Sequence, residues 1–160
     1  MKLFADTNWL VASYFNTPDN DRTGIVGRFA RKYELQLLVS PVVYLEAHNV
    51  FRWITRSTNP EEWERFHADF GAKLLLLPMD WLADWLALSA KAESLFGRYS
   101  YRAKLGTFDV FLVAAALSAE ATHFLSFDTN NNTRALAAAG RLKVFPELVE
   151  ADKQRLAVLK

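Results

Sequence analysis

Short apolar runs alternate with segments of helical spacing along this chain. Leu3-Phe4-Ala5 and residues 74–77 are continuous apolar runs, residues 35–39 are a short mostly apolar run, and residues 122–126 and 142–145 are further segments of strand length. Continuous apolar runs of this length predict strands buried on both faces. Between them the period changes. In residues 23–33, Ile25, Val26, Phe29 and Ala30 fall at helical spacing with cations outside, although Gly24 and Gly27 weaken that helix. In residues 41–56, Val43, Ala47, Val50 and Ile54 share one face, and Ser40-Pro41 supplies an N-cap and a first-turn proline.

Pro60 opens a further predicted helix, to about residue 71, and residues 80–96 predict another with Trp81, Leu82, Trp85, Leu86, Leu88 and Ala92. Residues 97–106 read as a loop. Residues 107–120 are apolar nearly all round, which predicts a helix inside the domain against the sheet. Residues 129–139 predict a short helix closed by Gly140 as its C′ glycine. Residues 147–160 read as a surface helix or a partly ordered tail.

Strands alternating with helices imply a parallel sheet covered on both faces, with right-handed crossovers. The expected fold is α/β, three layers, with about five strands. Its order is taken as 3-2-1-4-5, the common doubly wound one. A single domain is expected over residues 1–160, with the segment from about 147 at its periphery.

Composition narrows the function classes. At 160 residues, 51% apolar and 23% charged, the chain suits one ordinary core. With no cysteine, disulfides and thiolate metal sites are excluded. A formal charge of +1 gives no global support for nucleic-acid binding, so that case must rest on local patches. No signal-peptide pattern and no run of membrane-spanning length is visible, so the expected place is the cytoplasm and no membrane.

Four carboxylates sit where a fold alone does not need them. In the order 3-2-1-4-5, strands 1 and 4 are neighbours at the switch point, where ligands bind in open parallel sheets. Asp6 follows the first strand and Asp128 the fourth. Glu46 lies on the apolar stripe of its helix, and Asp109 opens the most apolar helix of the chain. Each has a plainer reading. Asp6 or Thr7 can cap the helix that follows, and Glu46 can reach solvent or pair with Arg52 or His48. Asp109 can make a helix-dipole contact worth ~0.3–1 kcal/mol. All four plain readings together require four coincidences at one edge of one sheet. Gathered carboxylates otherwise suit a hard cation such as Mg²⁺ or Mn²⁺, which polarises a phosphodiester and stabilises the leaving oxygen.

The pattern resembles a PIN domain, most closely the VapC-type ribonuclease toxins of bacterial toxin–antitoxin pairs. Leu3-Phe4-Ala5-Asp6-Thr7-Asn8 and Val43-Tyr44-Leu45-Glu46-Ala47 carry the resemblance, with residues 107–116 around Asp109 and Phe124-Leu125-Ser126-Phe127-Asp128. Order and spacing match over roughly residues 1–145. The resemblance implies a Mg²⁺- or Mn²⁺-dependent endoribonuclease with Asp6, Glu46, Asp109 and Asp128 as its catalytic residues. Asp6, Asp109 and Asp128 would hold the metal, with Glu46 as ligand or orienting the attacking water. Thr7, Asn8 and Ser126 would support them. The chain departs from the pattern after Asp128, where Thr129-Asn130-Asn131-Asn132 replaces a further acidic residue found in many relatives. That puts a second metal in doubt, and the asparagines also suit a turn and a helix cap.

Arg98, Tyr99, Tyr101, Arg102 and Lys104 precede Asp109 and are the candidate RNA-binding residues, since cations hold phosphates and tyrosine rings stack on unpaired bases. An ordinary solvated loop has the same composition. Trp81 and Trp85, one turn apart, suit either core packing or an apolar groove for a small antitoxin protein or a second copy in a homodimer. His48, His67 and His123 lack metal-ligand spacing. Two rivals remain: a non-catalytic RNA- or partner-binding module on the same fold, and a phosphoryl-accepting domain. The second lacks the Asp-x-Asp it needs, because Asn8 stands two residues after Asp6.

Overall fold

Residues 1–14, 18–55, 61–62, 64–65, 68, 75–76 and 81–160 are described by the computed structural model, with residues 55, 75–76 and 81–84 described by backbone alone. β1 (Lys2–Ala5) is the middle strand of a five-stranded sheet. β2 (Gln36–Val39) and β3 (Leu75–Leu76) lie on one side of it, β4 (His123–Leu125) and β5 (Lys143–Phe145) on the other. Every pairing is parallel, and the order β3-β2-β1-β4-β5 is the expected one. Phe4 lies level with Leu38 and Phe124, and Ala5 with Leu125. Leu3, Phe4, Ala5, Leu38, Val39, Phe124 and Leu125 are all buried, as a sheet covered on both faces requires.

The helices are α1 (Thr7–Tyr14), α2 (Asn20–Lys32), α3 (Pro41–Thr55), α4 (Trp81–Tyr99), α5 (Thr107–Ser118), α6 (Thr133–Ala139) and α7 (Glu150–Leu159). α3 starts as its sequence predicts: the Val43 N–H donates to the Ser40 hydroxyl at 3.2 Å. α5 is the inner helix, with Val110 and residues 112–116 buried. α4 packs along it, and α7 along α6. Among the described residues no helix is long and apolar enough to cross a membrane.

Several expectations shift. α2 leaves Ile25 and Phe29 exposed, buries Ala30 as expected and Thr23 besides, and packs Val26 partly against the core. α4 runs on to Tyr99, past the expected end at residue 96. α6 starts at Thr133 rather than 129, because the asparagines wind into a turn about Asp128. Gly140 has an ordinary φ of −74°, and the left-handed position falls on Arg141 at 70°. Of the helix predicted from Pro60, residues 61–62, 64–65 and 68 are helical and the rest lies outside the described residues, as do Leu74 and Leu77 of the third strand.

The last segment is not a loose tail. Asp152 and Leu159 of α7 are buried, and Asp152 meets Arg134 of α6. Arg134 Nε donates to Asp152 Oδ2 at 2.9 Å, with the two side chains 1% and 0% exposed. The other guanidinium nitrogens donate to the carbonyls of Ser126, Pro146 and Glu147. Asp152 Oδ2 also accepts from the Val149 N–H at 3.2 Å, and Arg155 stands 3.7 Å from Oδ1. A charge buried this deeply is tolerated only when paired and hydrogen-bonded, and here four acceptors surround one guanidinium.

Arg134→Ala should therefore cost about 3–5 kcal/mol, because it strands the Asp152 charge. Arg134→Met combined with Asp152→Leu should recover most of the loss. Urea unfolding of the three proteins makes the comparison, and equal losses in single and double variants would rule out stranded charge as the cause.

Candidate active site

Asp6 leaves β1 with its N–H donating to the Leu125 carbonyl of β4 at 3.0 Å, so the two strands stay paired up to the sheet's carboxyl edge. Its side chain is buried at that edge. Oδ1 accepts the Thr7 N–H at 2.6 Å. Oδ2 accepts from Asn8 Nδ2 at 2.9 Å and from the Ser126 hydroxyl at 2.7 Å. Thr7, the first residue of α1, also donates its hydroxyl to Glu46 Oε2 of α3. One turn of chain thus links Asp6 to Glu46, and further along α3 Arg52 Nε donates to His48 Nε2 at 3.0 Å.

Ser126 joins the other side. Its hydroxyl accepts the Asp128 N–H at 3.1 Å while donating to Asp6. Asn8 Oδ1 accepts the Phe127 N–H at 2.8 Å, which pins the exit of β4 to the start of α1. Beneath, Trp9 stacks on Phe127 with centroids 4.7 Å apart and meets Phe145 edge-on at 5.7 Å. The Asp128 carboxylate accepts from the Asn130 N–H at 2.9 Å and from Asn131 Nδ2 at 2.7 Å. The asparagine run is therefore the turn its composition allowed.

Burial pushes the Asp6 carboxyl up to about 6. Hydrogen bonds from Ser126 and Thr7 pull it down, and the negative charges of Glu46 and Asp128 push it up again. Asp109, half-buried at the start of α5, is also raised, first by burial and further by the charge of Asp128. The buried Thr133 hydroxyl leans toward Asp109 without closing a full hydrogen bond, and favours its charged form. The four carboxylates thus form a row in which Asp6 feels Glu46 and Asp128, and Asp109 feels Asp128.

This row is looser than the convergence of Asp6, Asp109 and Asp128 expected on one ion. Among the described residues no three acidic or histidine side chains stand close enough together to hold a metal alone. An all-oxygen donor set still suits a hard cation. Mg²⁺ is commonly held by one or two carboxylates, with water and substrate phosphate completing its shell. Asp6 with Asp128, and Asp128 with Asp109, are the electrostatic neighbours in the row.

The segment before Asp109 differs from its sequence reading, because residues 97–99 end α4 rather than open a loop. Tyr99 is buried, with its hydroxyl donating to the Ala139 carbonyl at 3.2 Å, so its ring is not offered to a base. Tyr101, Arg102 and Lys104 are exposed, and so is Arg98. Sequence reasoning missed Arg134, whose guanidinium holds the Ser126 carbonyl from behind. A lone cation in the alanine-rich stretch Thr133-Arg134-Ala135-Leu136-Ala137 was the available signal.

Because the Asp6 pKa is raised above its unfolded value, the fold favours its neutral form. That contribution is full below about pH 4 and is lost as pH rises through about 6. Asp6→Asn removes the titration, so the variant should gain on wild type between pH 4 and pH 7.5 by up to about 3 kcal/mol. Denaturant unfolding at both pH values, without divalent metal, reads the change in the gap. A gap that does not move with pH would mean that Asp6 is already charged at pH 4.

No family model matches the chain, and no curated protein matches it. Among solved structures, it is similar to a chain of VapBC2 from Rickettsia felis, a complex bound to a DNA fragment from its promoter. The identity is 15% and the TM-score 0.60, over 90% of this chain and 97% of that one. At that identity the likeness is one of fold: the chain has a VapC-like α/β fold around its row of acidic residues.

Proposed function

We propose that this protein is a Mg²⁺- or Mn²⁺-dependent endoribonuclease of the VapC kind, the toxin of a toxin–antitoxin pair acting in the cytoplasm. One observation carries the reading. A buried carboxylate, Asp6, stands at the switch point of the sheet with its pKa near 6, flanked by Glu46 and Asp128. Displaced pKa values of this sort cluster at functional sites. The VapC-like fold is consistent with it. The substrate is RNA, and the partners are a small antitoxin protein and a second copy of the chain. Leu45, Trp53, Ile54, Trp85 and Leu86 offer them exposed apolar surface.

Asp6, Asp109 and Asp128 would hold the cation, which when bound supplies charge stabilisation at the scissile phosphate and its leaving oxygen. Asp6 holds one position because Thr7, Asn8 and Ser126 fix both of its oxygens. Glu46, steadied by the Thr7 hydroxyl, is placed to orient a water and accept its proton. A carboxyl with a pKa near 6 must lose its proton before it can bind a cation, so metal binding should strengthen as pH rises through that value.

A non-catalytic RNA- or partner-binding module is the second reading, and the pairwise rather than threefold grouping of carboxylates favours it. The two separate in a cleavage assay. Single-stranded RNA should be cut with Mn²⁺ and left intact with EDTA. Asp109→Asn should lower the rate by about a hundredfold or more, as loss of a metal-supporting group does. Melting curves add a readout independent of cleavage: Mn²⁺ should raise the melting temperature of wild type more than that of Asp109→Asn. Equal shifts with activity retained would make Asp109 a helix-start residue and nothing more.

A further inference from the structure

α4 ends beside the end of α7, and a cavity of about 390 Å³ opens between them. Arg98, Arg102 and Lys160 line it, with Tyr101 at its side and Ala139 and Leu159 behind. No acidic side chain is among its lining residues. Among the described residues, the cations that form ion pairs are Lys2, Arg22, Arg134, Lys153 and Arg155, and none of these lines the cavity. Three positive side chains thus surround one hollow that no acidic side chain lines.

The hollow is also organised. Arg102 Nη1 donates to the Leu159 carbonyl at 3.2 Å, and Nε donates to the Tyr101 hydroxyl at 2.7 Å. The guanidinium lies 5.1 Å from the centroid of the Tyr101 ring. Two of its five N–H donors are spent on holding it in place, which leaves donors for an anion. Three cationic side chains around a cavity of this size fit a phosphate group. Water takes about 30 Å³ per molecule, so a phosphate and the sugar beside it have room.

The same loop leads to the acidic row. Asn132 Nδ2, just after the Asp128 turn, donates to the Lys104 carbonyl at 2.9 Å. Gly106 lies so near Asp109 that a Cβ on it would stand 2.6 Å from Oδ2. Going from Arg98 through Lys104 to Asp109, the chain passes from cavity to candidate site with fixed contacts on the way.

We propose that this cavity is a phosphate-binding subsite for an RNA strand, formed by Arg98, Arg102 and Lys160 and set outside the row of carboxylates. It rests on the nuclease reading for the identity of the strand, and adds to that reading α7 as part of the substrate surface. Tyr99 also lines the cavity, with its hydroxyl held by the Ala139 carbonyl and the Arg98 guanidinium 5.9 Å from its ring centroid.

The test is fluorescence anisotropy of a labelled single-stranded RNA oligomer in EDTA, over a range of salt, with wild type and the double variant Arg98→Ala/Lys160→Ala. Both side chains are exposed, and equal melting temperatures check that the variant folds. The variant should bind roughly tenfold more weakly at low salt, and its log–log salt slope should be shallower by about 1.4, the share of two phosphate contacts on a single strand. Arg98→Lys should keep most of the binding. Competition by inorganic phosphate that is far weaker than by unlabelled RNA assigns the site to a strand; equal competition assigns it to free phosphate and overturns the proposal. Unchanged affinity and slope in the double variant overturn the subsite while Mn²⁺-dependent cleavage by wild type leaves the nuclease standing. Loss of RNA binding in the variant, with no cleavage by wild type, overturns the nuclease and keeps the subsite. A cavity that binds an acidic peptide but no RNA overturns both.

Discussion

One hydroxyl holds the candidate site together. Ser126 Oγ donates to Asp6, accepts the N–H of Asp128, and so couples the carboxyl ends of β1 and β4 beyond their last backbone bonds. Burying Asp6 is unfavourable, and three donors only partly offset the desolvation and the repulsion from its neighbours. The balance leaves a carboxyl that is neither firmly charged nor firmly neutral near pH 6. Rigidity elsewhere follows from this. Asn8 ties α1 to the exit of β4, and Trp9 with Phe127 and Phe145 fills the space below. Such support keeps the acids from drifting apart to relieve their repulsion.

Much of this was legible in the residues. Short strands alternating with helical spacing point to a parallel sheet, and its order is supplied by the common doubly wound arrangement rather than by any residue. Asp6 and Asp128 could be placed because Asp6 directly follows one buried strand and Asp128 lies three residues past another. Glu46 stood out as a carboxylate on a buried stripe. What could not be read depends on contacts distant in sequence. Nothing near Arg134 reveals that its partner is Asp152, in a segment whose polar composition reads as a surface helix. Tyr99 passed for a loop residue because α4 runs one turn further than its apolar pattern, and that turn directs the ring inward. Ile25 and Phe29 keep helical spacing, but spacing does not say whether a neighbour is there to cover them.

The exposed apolar side chains have a different physical meaning from the acidic row. Trp53 is 75% exposed and Leu86 68%, and both are large side chains on long helices, α3 and α4. Each buried Å² of such surface is worth roughly 25 cal/mol, so covering a few of them gains several kcal/mol in association. Trp85 already shows the tendency within the chain, lying flat on Phe111 with centroids 5.3 Å apart. The acidic row, at the ends of β1 and β4 and on α3 and α5, thus offers polar groups, whereas the flanks of α3 and α4 offer apolar ones.

The Arg134–Asp152 clamp has a consequence for how this protein can evolve. Either residue changed alone strands a charge in a place water does not reach. A lineage leaving this arrangement must pass through a weakened intermediate or change both positions close together, toward an apolar pair of similar volume. Positions 134 and 152 should therefore vary in concert among descendants of this chain, while Lys153 and Glu150, paired at the surface, are free to drift one at a time.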